Sequence, residues 1–233
     1  MISWSDTGIV VTTTKRQEKY QAVEIFTKDH GMVRALCDST IRICGFSWVS
    51  VDWRGRNSCE NGFWRIQDIH QPIAPNSIHS VIGQRVCYLL HISLPYGDGA
   101  SELFEYIEHM SREMRDCSSL EALNMYAYFE FLLLKSTGYG FDLKTCGVCG
   151  NVEKIEYISR DSGRGISREC RGITRDRLFR VPEVWENWSN LEPILSDLKT
   201  ILLSISITNY FIEKSNLGHS GDHSFIATLG LVS

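Results

Sequence analysis

The stretch Thr7–Cys37, TGIVVTTTKRQEKYQAVEIFTKDHGMVRALC, decides how the front of the chain folds. Thr7–Thr14 and Tyr20–Thr27 are rich in β-branched and aromatic residues with partial alternation, the pattern of strands. Lys15–Lys19 between them is polar, as a hairpin connection should be. Asp29-His30-Gly31 marks a turn before a third strand at Met32–Cys37. Two further strands fit Phe46–Asp52 (FSWVSVD) and Gly62–Ile69 (GFWRIQDI). Five short strands with polar turns predict a small closed barrel, and five is the strand count of an OB-fold. A small sandwich or an SH3-like barrel would give the same pattern.

Beyond the barrel the periodicity changes. After the proline-containing Gln71–Ser77, with Ser77 as a candidate N-cap, an apolar stripe runs through Ile78, Val81, Ile82, Val86, Leu89 and Leu90. Leu103, Phe104, Ile107 and Met110 form a second stripe, and Leu120–Leu134 a third, closed by Gly138. Another helix is predicted from about Asn190 to Glu213, followed by a Gly/His/Ser-rich end. The expected class is α+β: an N-terminal barrel (1–74), a helical domain (75–145), an inserted zinc-ribbon-like hairpin (146–181), and a C-terminal helical part (182–233) packing on 75–145.

Composition narrows the function classes. With 43% hydrophobic and 22% charged residues in 233, the chain is an ordinary globular sequence. No apolar run approaches the roughly eighteen residues of a membrane span, and MISWSDTG lacks an export signal pattern, so a cytoplasmic protein is expected. Formal net charge is −4, yet residues 146–180 hold 8 Lys/Arg against 5 Asp/Glu. A local basic face suffices for nucleic acid. No P-loop, GxSxG or HExxH motif is present, and no enzyme is expected.

Cys146-Gly147-Val148-Cys149-Gly150 has the spacing of a zinc knuckle, a turn that aims two thiolates at one ion. Cys170 lies 21 residues on, but the next expected ligand position is Ile173. Cys146, Cys149 and Cys170 are therefore candidate ligands of an incomplete site, with Glu169 or Asp176 as substitutes, or a metal-free hairpin of the same shape. A redox role fits poorly, because the pair follows a helix end instead of opening a helix. The other five cysteines read as buried or neutral thiols. Seven arginines fall between Arg160 and Arg180, a candidate phosphate-binding surface that includes Arg164 and Arg168. A solvated, partly salt-bridged surface is the competing reading. On the barrel, Lys15, Arg16, Lys19, Lys28, Arg34 and Arg42 interleave with Tyr20, Phe26 and Phe46, while Trp48, Trp53 and Trp64 stand near Arg54, Arg56 and Arg65. Aromatic faces over a basic groove are what single-stranded DNA binding uses, although each aromatic taken alone reads as core.

Gly138-Tyr139-Gly140-Phe141-Asp142-Leu143, followed by Cys146-x-x-Cys149-Gly150, resembles the RecO family. The preceding Phe129–Leu134, the stretch Tyr157–Ser167, and Glu24–Arg34 are similar to motifs of that family, the second to its alphaproteobacterial branch. The resemblance implies a recombination mediator of the RecF pathway that binds single- and double-stranded DNA. It would anneal strands coated with single-stranded DNA-binding protein, whose C-terminal tail it would hold, and help RecR load RecA, near the nucleoid. DNA would be captured by Lys15, Arg16, Lys19, Arg34 and Arg42. Two departures stand out: the family's basic loop is Asp38–Arg42 here, and His223-Ser224 replaces its C-terminal Ser-Arg. A rival expectation is an adaptor that touches only RecR and the coating protein.

Overall fold

A computed structural model describes residues 1–16, 18–70, 77–152, 154–175, 177–188 and 196–215. Five strands, β1 (Ile2–Lys15), β2 (Tyr20–Thr27), β3 (Gly31–Asp38), β4 (Trp48–Gly55) and β5 (Gly62–His70), form a closed barrel in the order β1-β2-β3-β5-β4. Closure depends on the length of β1. Its first half, Ile2–Ile9, pairs with β4, and its second half, Gly8–Lys15, pairs with β2, with a register shift between Val10 and Thr12. The shift bends the strand so that it can serve both neighbours. Gly8 sits where the two ladders overlap, and a Cβ there would meet the Phe26 carbonyl oxygen at 2.6 Å. A short parallel pairing of β3 with β5, Ala35 to Gly62 and Leu36 to Phe63, completes the barrel. That closing pair selects the OB-type arrangement over a sandwich, and the expected α+β class stands.

Val10, Val23, Ile25, Val33, Val49, Val51, Trp53 and Trp64 fill the barrel. The sequence puts these residues inside because they fall on alternate positions of paired strands. Phe46, read as the start of a strand, instead has φ +67° and is buried. It accepts the close approach of Gly83 on α1 (Ile78–Ser93), where a Cβ would lie 3.0 Å from the ring. The Ser77 side chain caps α1, as expected, accepting from the Ser80 N–H. On α2 (Ser101–Glu113), Leu103, Phe104, Ile107 and Met110 are all buried, and Phe104 meets Phe26 and Trp48 edge-on.

The chain divides into two compact units, and the division falls inside α3 (Ser119–Ser136). Residues 1–122 form the first. The second begins at Leu123 and contains a three-stranded antiparallel sheet in the order β7-β6-β8, from β6 (Ile155–Ser159), β7 (Gly165–Ser167) and β8 (Leu178–Arg180). It also holds a short helix missed in the sequence, α4 (Val184–Trp188), and α5 (Leu198–Lys214). Phe131, Phe141, Trp185, Trp188 and Phe211 build its aromatic core. Glu130 is fully buried on α3 and accepts hydrogen bonds from the hydroxyls of Tyr126 and Thr208, the latter on α5. The predicted helix start at Asn190, the carboxylate of Asp176, and His223-Ser224 lie outside the described residues.

Candidate nucleic-acid interface and cysteine cluster

The barrel surface beside the β3–β5 seam carries a cavity of about 410 Å³ lined by Arg16, Arg34, Glu60, Asn61 and Phe63. Arg16 follows the last residue of β1, and Arg34 lies at mid-strand on β3, so the two expected DNA-contacting arginines share one concavity. Phe63 is 54% exposed and meets the half-exposed Tyr20 edge-on, with ring centroids 6.0 Å apart. Phe63 was absent from the sequence-derived site. The signal was available: adjacent aromatics on one strand face opposite sides, and with Trp64 in the core, Phe63 must face out.

The remaining candidates are distributed differently. Lys15 and Lys19 are exposed on the β1–β2 hairpin, and Arg42 is exposed in the loop after β3; none lines that cavity. The loop itself is tied down. Gln21 Nε2 donates to the Ile41 carbonyl at 2.7 Å, and the Thr40 backbone N–H and hydroxyl both donate to Asp38, holding its carboxyl below the usual range. Phe26, Phe46, Trp53 and Trp64 are core residues, so of the aromatics named from sequence only Tyr20 and the half-buried Trp48 reach the surface.

Arg34 does not act alone. Its Nε lies 3.7 Å from Oε1 of Glu24, a buried carboxylate on β2 that also accepts from the Tyr96 hydroxyl at 2.6 Å and lies 2.6 Å from His91 Nδ1. Burial works against the charged form of Glu24, yet its partners Tyr96, His91 and Thr12 outweigh that and bring its pKa down. The ionised carboxylate therefore fixes Arg34 in place while offsetting part of its charge.

In the second unit the Sγ atoms of Cys146, Cys149 and Cys170 all lie within 4.8 Å of one another. The knuckle is built by backbone hydrogen bonds: Gly150 N–H donates to the Cys146 carbonyl at 2.8 Å, and Gly147 N–H to the Gly165 carbonyl at 2.8 Å. Gly150 has φ +76°, which a side chain would strain. Ser167 N–H donates to the Cys146 sulfur at 3.4 Å. Burial opposes ionisation of Cys146, but the Ser167, Cys149 and Val148 N–H groups prevail and lower its thiol to about 6. The Ser167 hydroxyl favours the thiolate of Cys170, whereas burial and the neighbouring thiols raise it more strongly. Three sulfurs around a tetrahedral zinc stand about 3.8 Å apart, given Zn–S bonds of about 2.3 Å, so a small contraction would close this group on an ion. Among the described residues no fourth His, Cys, Asp or Glu joins it, and Ile173 is 70% exposed. The donor set thus fits three positions of a tetrahedral metal.

Of the other cysteines, Cys37 and Cys87 are buried, Cys59 and Cys117 half-buried, and Cys44 exposed. Burial pushes the Cys87 thiol up to about 12, an inert core group. Arg164 and Arg168 flank β7; the Arg164 side chain packs over Gly147, where a Cβ would lie 2.9 Å from it, and Arg168 points outward ahead of a short 3-10 turn at Glu169–Gly172. Among the described residues no helix is long and apolar enough to cross a membrane.

Known proteins are similar to this chain in sequence over most of its length. A family model described as "Recombination protein O C terminal" matches residues 78–183. A protein of Bradyrhizobium diazoefficiens named "DNA repair protein RecO" is 31% identical over 78% of this chain and 75% of its own length. Relatives of the same name from a Ruegeria strain and from Wolbachia pipientis are 27% and 24% identical, each over 91% of this chain and about nine-tenths of their own. The barrel, the helices and the cysteine knuckle therefore sit in a sequence context shared along most of the chain, and the chain belongs to the RecO family of DNA repair proteins.

Proposed function

We propose that the chain is a DNA-binding recombination mediator that makes and breaks no covalent bond. It would hold single- and double-stranded DNA, anneal strands coated with single-stranded DNA-binding protein, and work with RecR to load RecA, in the cytoplasm at the nucleoid. The observation that carries this reading is the barrel cavity in which Arg16 and Arg34 flank the exposed Phe63. Guanidinium groups there would take backbone phosphates, and the Phe63 ring would take a base face. Lys15, Lys19 and Arg42 would extend the positive field around the hairpin and loop.

The direct test is annealing of complementary oligonucleotides coated with the cognate single-stranded DNA-binding protein, followed over a salt series. Acceleration that fades as salt rises supports phosphate-driven mediation. No acceleration, with or without RecR, favours the adaptor reading instead. One observation speaks for that alternative: Glu24 and Glu60 bring negative charge to the arginines of the cavity.

Phe63→Ala separates stacking from charge. Stacking contributes about 1–3 kcal/mol per base, so single-strand affinity should fall at least about fivefold while duplex affinity changes little. Equal losses on both substrates would remove the stacking role.

Zinc is the cofactor the cysteine cluster suits, held by Cys146, Cys149 and Cys170 with an external fourth ligand; its place would be structural, tying the knuckle to the 3-10 turn. Cobalt(II) added to the reduced protein should give a thiolate charge-transfer band that Cys146→Ser abolishes. A parent protein without the band would mean a metal-free hairpin.

A further inference from the structure

The second unit holds a separate hollow of about 420 Å³, lined by Glu156, Tyr157, Arg168, Arg171 and Arg180. Its walls come from three elements. Tyr157 on β6 stands opposite Arg180 on β8, and the 3-10 turn brings Arg171 over the Tyr157 ring, 5.0 Å from its centroid. Arg171 Nη1 donates to the Tyr157 hydroxyl at 3.2 Å. With its oxygen accepting from Arg171, that hydroxyl keeps its own proton to donate. Among the described residues no carboxylate lies within 4.0 Å of any of these three guanidinium groups, and Glu156 in the same wall is not ion-paired to them.

Three like charges gathered around one hollow repel one another, and the single carboxylate in its wall, Glu156, offsets only part of them. The hollow offers mostly donors, three planar forks and a phenol, beside the one carboxylate of Glu156. A tetrahedral oxyanion uses such a set better than a carboxylate, which has fewer acceptor sites. The face of Tyr157 is already covered by Arg171, so no ring remains on which a base could stack. The hollow is suited to a phosphate and indifferent to the base attached to it.

We infer that Arg168, Arg171, Arg180 and the Tyr157 hydroxyl form a phosphate site that takes one backbone phosphodiester of a DNA strand, a second point of contact besides the barrel. The site rests on the DNA-binding reading of the chain, and it deepens that reading by adding a contact that carries no sequence information. Arg168 and Arg171 lie on either side of Cys170, so the cysteine cluster holds the segment on which two of the three arginines ride.

The test uses the full chain. R168Q/R180Q should weaken binding of an oligothymidylate, read by fluorescence anisotropy, about tenfold at low salt and lower the slope of log K against log salt by roughly 1. In parallel, inorganic phosphate should shift the Nε–Hε NMR signals of Arg168, Arg171 and Arg180, and oligothymidylate should displace it. If the parent and a barrel variant behave as the proposed function requires but R168Q/R180Q binds like the parent, the phosphate site falls and the function stands. If the parent fails to bind oligothymidylate at any salt, the function reading falls. Arginine shifts with phosphate that oligothymidylate cannot displace would then assign the hollow to free phosphate groups and overturn the DNA strand as its ligand. No arginine shift with phosphate overturns the site altogether.

Discussion

Replacing Glu130 by Ala should lower the stability of the second unit by about 3 kcal/mol or more. The carboxylate is fully buried and receives hydroxyl hydrogen bonds from Tyr126, one turn earlier on α3, and from Thr208 on α5. Removing it takes the carboxylate acceptor from the Tyr126 hydroxyl, at roughly 1–3 kcal/mol, leaves Thr208 its bonds back to the Ser204 and Ile205 carbonyls alone, and leaves a void where a long side chain stood. Glu130→Gln retains an acceptor for Tyr126 and a donor toward Thr208, so it should recover most of the loss. Urea unfolding, with the midpoints of the parent and both variants compared, reads the difference. An alanine variant within about 1 kcal/mol of the parent would mean that the carboxylate does not join the two helices. The Phe-Glu pair that helped carry the family resemblance is thus a packing device, and its loss should show in stability before it shows in DNA binding.

Where the sequence was legible, the reason was periodicity backed by turn chemistry. The bounds of β2 follow from YQAVEIFT flanked by KRQEK and KDHG, because β-branched residues and a left-handed Gly31 leave little choice. The α2 stripe was read residue for residue, since every fourth or third position had to face one core. Other features were hidden for physical reasons. Four of the first five residues of β1 are polar or exposed, Trp4 alone packing on the barrel core, and they are strand because β4 needs a partner to close the barrel, a demand made from 45 or more residues away. Phe46 looks like strand by composition, but its backbone turns left-handed so that the ring can cover Gly83. At the site, charge was visible and grouping was not. Lys15, Arg16, Lys19, Arg34 and Arg42 read as one set, yet of these only Arg16 and Arg34 line the cavity beside the β3–β5 seam, since the seam that makes it is a pairing between distant strands. The arginine run likewise looked uniform, whereas folding sends Arg164 over the knuckle and turns Arg168, Arg171 and Arg180 toward one hollow.

Reversing three barrel charges together, Arg16→Glu, Lys19→Glu and Arg34→Glu, should reduce single-stranded DNA affinity about a hundredfold at low salt. Each charge-assisted phosphate contact contributes on the order of 1 kcal/mol or more, and three such losses multiply to roughly that factor. The diagnostic quantity is the salt dependence. Three fewer neutralised phosphates lower the slope of log K against log salt by about 2 on a single strand, so parent and variant should converge as salt rises. Folding is not at stake for Arg16 and Lys19, which are exposed. Arg34 is paired with Glu24, however, and a glutamate there would face that carboxylate across a few ångströms. The double variant Arg16→Glu, Lys19→Glu controls for this, because it leaves the buried cluster of Glu24, His91 and Tyr96 untouched and should still flatten the slope by more than 1. If the triple variant weakens binding with an unchanged slope, the barrel has been deformed and the contacts lie elsewhere. If neither variant changes affinity or slope, the barrel does not hold DNA, and the arginine hollow of the second unit becomes the next candidate among the described residues to carry it.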